Sequence, residues 1–237
     1  MTEIWAEYLD QIGAVVAILI AARVSLLVTW PGFLLLEKLS PVKTHTPLSN
    51  YWYNWKVTVT TMVLSPVFAA FVGVSMLMLT SYLALPSLQV STAGISIGIP
   101  AIDIFLQGAI IFLMACILGD FSYYWWHRFQ HTVPFLWELH KLHHSDENLN
   151  TTTIYRSHFL EPAGQAVFRG LSIGLIFDNS QVEQTVLAVV AGGLLPLFWD
   201  YFIHANVRFD RLHKLLPFFS TPQYHWIHHS SLPQHQY

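Results

Sequence analysis

A run of 29 residues without a charged side chain, 57–85, is the feature that most constrains the fold of this chain. A helix of that length exceeds the roughly 20 residues that are needed to cross a hydrocarbon core of about 30 Å. Pro66 lies inside the run and predicts a kink in the helix. The run therefore predicts a transmembrane helix.

Other apolar segments indicate that the chain enters the membrane several times. Residues 11–30 are apolar apart from one arginine, and the acidic residues before them argue against a secretory signal. A third segment, 104–126, ends in an aromatic cluster typical of a membrane interface. Segments 164–177 and 185–199 predict a hairpin that crosses or dips into the membrane. We therefore expect an all-α, multi-pass membrane protein of about four transmembrane or dipping helices, with a cytosolic helical cap.

Basic residues predict the orientation. The first loop carries Lys38, Lys43 and Lys56, and the stretch after the third segment is also basic, whereas the second loop has no lysine or arginine. Because basic loops favour the cytoplasm, both stretches should lie there, in a bacterial inner membrane or the endoplasmic reticulum. We expect a single membrane domain over 1–237, with N-terminal transmembrane helices in 1–103 and a histidine-rich region in 104–237.

Composition excludes several classes of protein. Hydrophobic residues make up 54% of the 237 and charged residues only 11%, which is too few to coat a soluble protein of this size. The 11 basic and 14 acidic residues give a net charge of -3, so nucleic acid is not expected as a partner. The single cysteine, Cys116, allows neither an intrachain disulfide nor a cysteine-based metal site.

Eight of the 13 histidines fall into three short boxes. The boxes are HRFQH, HKLHH and HWIHH, which contain His127 and His131, then His140, His143 and His144, then His225, His228 and His229. Spacings of three and four residues bring side chains onto one face of a helix. A triplet at i, i+3 and i+4 can offer two ligands to one metal ion and the third to a neighbouring ion. Together with His204, these imidazoles exceed one tetrahedral site and fit two ions.

The ligand type alone does not name the metal, since imidazole suits zinc, copper, iron and nickel. Two histidine-bound ions at the cytoplasmic end of a membrane bundle suit the activation of oxygen against an apolar C–H bond. A zinc hydrolase is disfavoured, because the sequence has no H-E-x-x-H motif and hydrolysis needs far fewer ligands.

The order and spacing of the boxes resemble the signature of the fatty acid hydroxylase and sterol desaturase superfamily, which consists of integral-membrane, non-haem di-iron enzymes. Neighbouring segments are similar as well: RSHFLE at 156–161, FIHANVRF at 202–209 and TPQYHWIHHS at 221–230. The resemblance covers roughly residue 120 to the C-terminus, about half of the chain.

This resemblance implies a metal centre and a reaction. It implies two iron ions, which zinc could replace on purification, and no catalytic residue beyond the metal ligands. The implied ligands are His127, His131, His140, His143, His144, His204, His225, His228 and His229. The implied reaction is O2-dependent hydroxylation or desaturation of a sterol, fatty acyl chain, carotenoid or ether lipid. The electrons would come from NAD(P)H through a separate carrier, either a cytochrome b5-like protein or a ferredoxin with its reductase.

Three further residues are predicted to support the ligands. A ligating imidazole usually donates its other ring N–H to a carboxylate or a carbonyl. Asp200 lies one helical turn before His204, and Asp120 lies two turns before His127, so we predict these two pairings. The alternative is that both aspartates mark helix ends at the membrane interface. His158 in RSHFLE is predicted to be a ligand or a support for one.

Two other classes of function compete with an oxygenase. A haem-carrying electron carrier would need opposed single histidines on facing helices rather than adjacent pairs. A non-catalytic metal carrier or transporter would place its site near the bilayer midplane, whereas these histidines follow the aromatic cluster. The positions therefore favour an enzyme. His45, His213 and His235 are interpreted as structural or interfacial residues.

Overall fold

The computed structural model of the protein describes residues 2–83, 94–176, 195–209, 211–216 and 218–230. Within these ranges the regular structure is helical, and no β-strand occurs. Three long helices come first: α1 (Thr2–Leu39), α2 (Leu48–Tyr82) and α3 (Pro100–Thr132). Shorter elements follow: α4 (Pro134–His144), a 3-10 helix η1 (Thr151–Tyr155), α5 (Glu161–Ile176), α6 at 195–204, α7 (Leu212–Leu215) and α8 (Pro222–His228). The predicted all-α class is confirmed.

Two of the long helices are long and apolar enough to cross a membrane. The stretches Leu48–Thr80 of α2 and Pro100–Thr132 of α3 each have 33 residues. Large apolar side chains point away from the protein along both, for example Val63 at 63% and Phe105 at 71% exposure. Such surfaces are costly in water and suit lipid, so the chain is associated with a membrane. The number of crossings stays a prediction.

The predicted segments coincide with helices where the structure describes them. Segment 11–30 lies within α1, and 104–126 lies within α3. Segment 57–85 lies within α2 up to Tyr82, and 164–176 lies within α5. Most of segment 185–199 lies outside the described residues, so the hairpin that it was predicted to form stays a prediction.

The chain forms two compact units that are interleaved along the sequence. The first contains Met1–Leu19, Pro66–Trp126 and Pro162–Pro196. The second contains Ile20–Ser65, His127–Glu161 and Leu197–Tyr237. The single membrane domain expected over 1–237 stays a prediction.

Small residues bring the helices of the first unit close together. A Cβ atom added to Gly164 of α5 would lie 2.1 Å from the indole of Trp126 in α3. One added to Gly170 would lie 3.1 Å from the main-chain oxygen of Gly73 in α2. Helices in membranes gain little from apolar burial against each other, so this close packing is a main source of their association.

An aromatic core orders the second unit. The buried residues are Trp30, Phe33, Tyr155, Tyr201, Ala205 and Val207. Trp30 of α1 packs edge-on against Trp55 of α2, with ring centroids 4.6 Å apart, and Phe33 stacks on Tyr201 of α6 at 6.1 Å. This core therefore fixes the end of α6, where His204 lies, against the C-terminal part of α1.

Candidate metal centre

Four helix ends carry the predicted ligands of the second unit. His127 and His131 are four residues apart in the last turns of α3. Val133 interrupts the helix, and Pro134 restarts it at the first turn of α4, where its missing N–H costs no hydrogen bond. The second histidine box therefore occupies the C-terminal turns of α4, directly after the first box.

The remaining ligands come from the C-terminal part of the chain. His204 is the last helical residue of α6. Thr221 precedes α8, which begins at Pro222 and ends at His228, with His229 as its C-cap. All nine predicted ligands lie in the second unit, and the structure gathers them into two clusters.

The first cluster contains His127, His131, His140 and His144, whose ligating nitrogens all lie within 4.8 Å of one another. His228 lies beside them, because its Nε2 is 2.8 Å from Nε2 of His127 and its ring centroid is 4.7 Å from that of His131. This cluster thus draws on all three histidine boxes.

The second cluster contains His143, His204, His225 and His229, all of them buried. Nε2 of His204 lies 3.0 Å from Nε2 of His143 and 2.8 Å from Nε2 of His225. Nε2 of His225 lies 3.1 Å from that of His229. Four nitrogens therefore converge in a space closed to solvent.

Each histidine triplet divides between the clusters. In α4, His140 and His144 belong to the first cluster and His143 to the second. In α8, His225 and the capping His229 belong to the second, while His228 lies beside the first. The clusters also touch, since the rings of His144 and His229 stack with centroids 4.2 Å apart. Two ions held here would be immediate neighbours.

The spacing of the nitrogens fits metal binding. Imidazole nitrogens bind a first-row metal ion at about 2.1 Å, so two ligands at about 90–109° around one ion stand about 3.0–3.4 Å apart. The Nε2–Nε2 separations in the second cluster are 2.8–3.1 Å. In the first cluster, Nε2 of His131 lies 3.2 Å from Nε2 of His127. The residues therefore fit one ion in each cluster.

Burial keeps the imidazoles of the second cluster neutral, which is the form that binds a metal. Burial lowers the pKa of His143, His225 and His229 well below its usual value, and the neighbouring histidines lower it further. Burial also lowers the pKa of His204 to about 4, although its bond to the Asp200 carbonyl opposes the shift. At neutral pH, each of these four rings therefore keeps a lone pair for a metal ion.

A buried carboxylate in the RSHFLE segment, to which the sequence assigned no contact, supports the first cluster. Nδ1 of His140 lies 2.8 Å from Oε2 of Glu161, the first residue of α5. Nε2 of Gln130 donates to the same oxygen at 2.6 Å. The RSHFLE segment was the available signal, since it contains Glu161, but it gave no indication of which histidine this carboxylate contacts.

The described partner of His204 is a main-chain atom of Asp200. Nδ1 of His204 donates to the main-chain oxygen of Asp200 at 2.6 Å, and the supporting role predicted for the Asp200 side chain stays a prediction. Every residue type has a main-chain carbonyl, so a carbonyl one turn back along a helix can accept this bond whatever side chain it carries. The side chain at position 200 is not required for this contact.

The other two predicted supports are not joined to the ligands by a described bond. Nδ1 of His158 accepts from the main-chain N–H of Leu160 at 3.3 Å, and the ring stacks on Phe159. Asp120 is exposed on α3 and belongs to the first unit. Its support of His127 stays a prediction, as does the role of His158.

Two more buried acids hold the segments that carry the histidines. Asp146, two residues after His144, accepts from the side chains of Asn50 at 2.6 Å, Asn54 at 2.9 Å and Thr153 at 2.7 Å. These bonds tie the end of α4 to the start of α2. Glu37, in the last turn of α1, accepts the main-chain N–H groups of Thr151, at the start of η1, and of Asn206, two residues after His204.

The comparison with protein families agrees with this arrangement. The model of the fatty acid hydroxylase family matches residues 112–237, more than half of the chain and all nine histidines. The chain therefore belongs to the fatty acid hydroxylase family, and its predicted place in the fatty acid hydroxylase and sterol desaturase superfamily is confirmed.

Its curated relatives include alkylglycerol monooxygenases. The protein from Xenopus tropicalis is 34% identical over 115 residues, which are 48% of this chain and 24% of the relative. The human protein is 35% identical over 111 residues, 46% of this chain and 23% of the relative. The chain thus spans about a quarter of the length of these relatives. No solved structure matches it significantly.

Proposed function

We propose that the protein is a membrane-bound, non-haem di-iron oxygenase that hydroxylates or desaturates a C–H bond of a lipid. The observation that carries this proposal is the pair of adjacent, all-histidine clusters in a chain of the fatty acid hydroxylase family. Nine imidazoles around two neighbouring positions exceed what one zinc ion of a hydrolase needs.

Iron bound in these clusters would supply the activation of O2 that attack on an unactivated C–H bond requires. The protein's own residues do the rest. The second cluster is buried, which excludes water, and its rings are held neutral by burial and by one another. The stacked rings of His144 and His229 hold the two positions side by side.

The overall reaction fixes what else the enzyme needs. Hydroxylation converts R–H, O2, two electrons and two protons into R–OH and water. Desaturation removes two hydrogens from the substrate and, with the same O2, electrons and protons, yields two waters. We propose that NAD(P)H supplies the electrons through a separate carrier protein, of the cytochrome b5 type or a ferredoxin with its reductase.

The substrate range follows from the membrane and from the relatives. Helices α2 and α3 present apolar surface suited to lipid, so a substrate dissolved in the bilayer can approach the protein laterally. The relatives named alkylglycerol monooxygenases favour a glycerol with an alkyl chain, which is an ether lipid, over a sterol or carotenoid. The basic loops favour a cytoplasmic position for the histidine boxes.

Oxygen-isotope incorporation tests the proposed reaction. Membranes that contain the protein would be given an alkylglycerol or, in separate assays, a fatty acyl lipid, a sterol or a carotenoid. Each assay would contain NAD(P)H, the carrier proteins and O2 labelled with oxygen-18, and the lipids would be analysed by mass spectrometry. We expect a product that contains one heavy oxygen atom, or an unsaturated product, and neither with the His144→Ala variant. Lipids unchanged across the candidate classes, in protein that holds its full complement of iron, would contradict the proposal.

A further inference from the structure

Glu161 occupies a buried position at which three donors meet one carboxylate. Its Oε1 accepts the main-chain N–H of His158 at 2.7 Å. Its Oε2 accepts the side-chain amide of Gln130 at 2.6 Å and faces Nδ1 of His140 at 2.8 Å. The side chains of His140 and Glu161 are only 4% and 8% exposed. Solvent therefore does not replace these bonds.

This contact sets the tautomer of His140. A carboxylate oxygen that already accepts a hydrogen bond from Gln130 acts as an acceptor toward Nδ1 as well, so Nδ1 carries the hydrogen. The lone pair then lies on Nε2. That nitrogen is buried and has no hydrogen-bond partner among the described residues, although His140 belongs to the first cluster. Nε2 would therefore be the atom that is free to bind a metal.

The two clusters differ in the charge of the group that accepts a hydrogen bond from a ligating histidine. In the first, His140 is backed by a carboxylate. In the second, His204 is backed by the neutral main-chain oxygen of Asp200 at 2.6 Å. A carboxylate acceptor makes an imidazole a stronger electron donor than a carbonyl does, and such partners change metal affinity or activity by about 10–100-fold. The charge of Glu161 therefore acts on one cluster selectively.

We propose that Glu161 is a positioning residue that fixes His140 as an Nε2 ligand and selectively strengthens metal binding in the first cluster. This inference rests on the proposed two-metal centre. The two ions would then have unequal surroundings, although histidine alone would bind both.

Cobalt(II), whose visible absorption reports ligand geometry, provides the test. Metal-free protein in detergent would be titrated with cobalt(II) alone, comparing the unaltered protein with Glu161→Gln. Glutamine keeps the size and one acceptor oxygen but removes the charge. We expect Glu161→Gln to bind one ion as before and the other about 10–100-fold more weakly, with a change in only part of the absorption spectrum.

Glu138→Gln is the matched control, because Glu138 lies on the same helix as His140 but is exposed and pairs with Lys141. Both cobalt ions should bind to it as they bind to the unaltered protein.

The outcomes separate the two proposals. Two ions bound by Glu161→Gln as tightly as by the unaltered protein would overturn the role of Glu161 alone. Fewer than two ions in the unaltered protein would overturn the two-metal centre itself. If Glu161→Gln does not fold, nitrogen-15 NMR of the unaltered metal-free protein decides instead. Hydrogen on Nδ1 of His140 supports the inference, and hydrogen on Nε2 overturns it.

Discussion

Replacement of Glu37 should reveal how far the second unit depends on one buried carboxylate. Glu37 is 5% exposed in the last turn of α1. Its Oε1 accepts the main-chain N–H groups of Thr151 at 2.7 Å and Asn206 at 3.0 Å. Asn206 lies two residues after His204, and Thr151 begins η1. One oxygen atom thus joins three separate segments of the chain.

The structure gives the size of the effect. Thr151 and Asn206 are 0% and 4% exposed, so Glu37→Ala leaves two buried N–H groups without their protein acceptor. A buried N–H group left without a partner costs about 1–3 kcal/mol, and two cost about 2–6 kcal/mol of unfolding free energy. Glu37→Gln should cost far less, because both bonds end on one oxygen and a glutamine carbonyl can take its place.

The same pair of variants predicts a pH dependence. Burial raises the pKa of Glu37 above its ordinary value of 4.5, although hydrogen bonds from Asn206 and Thr151 oppose the shift. The folded protein therefore binds this proton more tightly than the unfolded chain does. The part of the stability that comes from this protonation is full below pH 4.5 and is lost as the pH rises through the folded-state pKa, while the hydrogen bonds to Thr151 and Asn206 remain. Glu37→Gln should abolish this decline.

Denaturant unfolding in detergent, followed by tryptophan fluorescence, measures both effects. Trp30 and Trp55 lie in the same unit as Glu37 and report its unfolding. A loss below about 1 kcal/mol in Glu37→Ala, or an equal loss in Glu37→Gln, would refute the argument from unsatisfied N–H groups.

Three other predictions concern packing, ligands and topology. Gly164→Ala should destabilise the protein by about 1–3 kcal/mol in thermal unfolding, since its Cβ meets an indole ring at 2.1 Å. Gly108→Ala in α3 should not destabilise the protein, because a Cβ atom added at Gly108 has nothing within 4 Å. Equal losses of stability in the two variants would contradict this account of the packing. His144→Ala should abolish lipid oxidation. His45→Ala should not, because the side chain of His45 is exposed. Full turnover by His144→Ala would refute the assignment of His144 as a metal ligand. Single cysteines beside the first and last histidine boxes should react with a membrane-impermeant reagent from the cytoplasmic side, and labelling on opposite sides would exclude a shared centre.

The sequence predicted the local geometry of the histidines because that geometry depends only on helix periodicity. Residues four apart lie on one face, whereas adjacent residues lie about 100° apart around the axis. His140 and His144 therefore point one way and His143 another. The same rule makes His228 diverge from His225 and His229. Fold class and family followed from equally local signals, the apolar runs and the spacing of the boxes.

The residues that support the histidines depend on contacts between distant parts of the chain, which no local sequence pattern predicts. Glu37 meets Thr151 across 114 positions of the chain. An acidic residue in the last turn of a helix opposes the helix dipole, which was the one available signal that Glu37 has a specific partner. For Asp200, sequence could not distinguish a carboxylate from a main-chain oxygen, because both lie one turn from His204.

The iron content of catalytically active protein tests the central claim most directly. The protein would be produced with iron available and purified in detergent, and its metal-to-chain ratio would be measured by elemental analysis on samples of known activity. Two clusters of histidine predict two irons per chain, with activity proportional to occupancy. Active protein with one ion per chain, or with none, would contradict the two-metal centre.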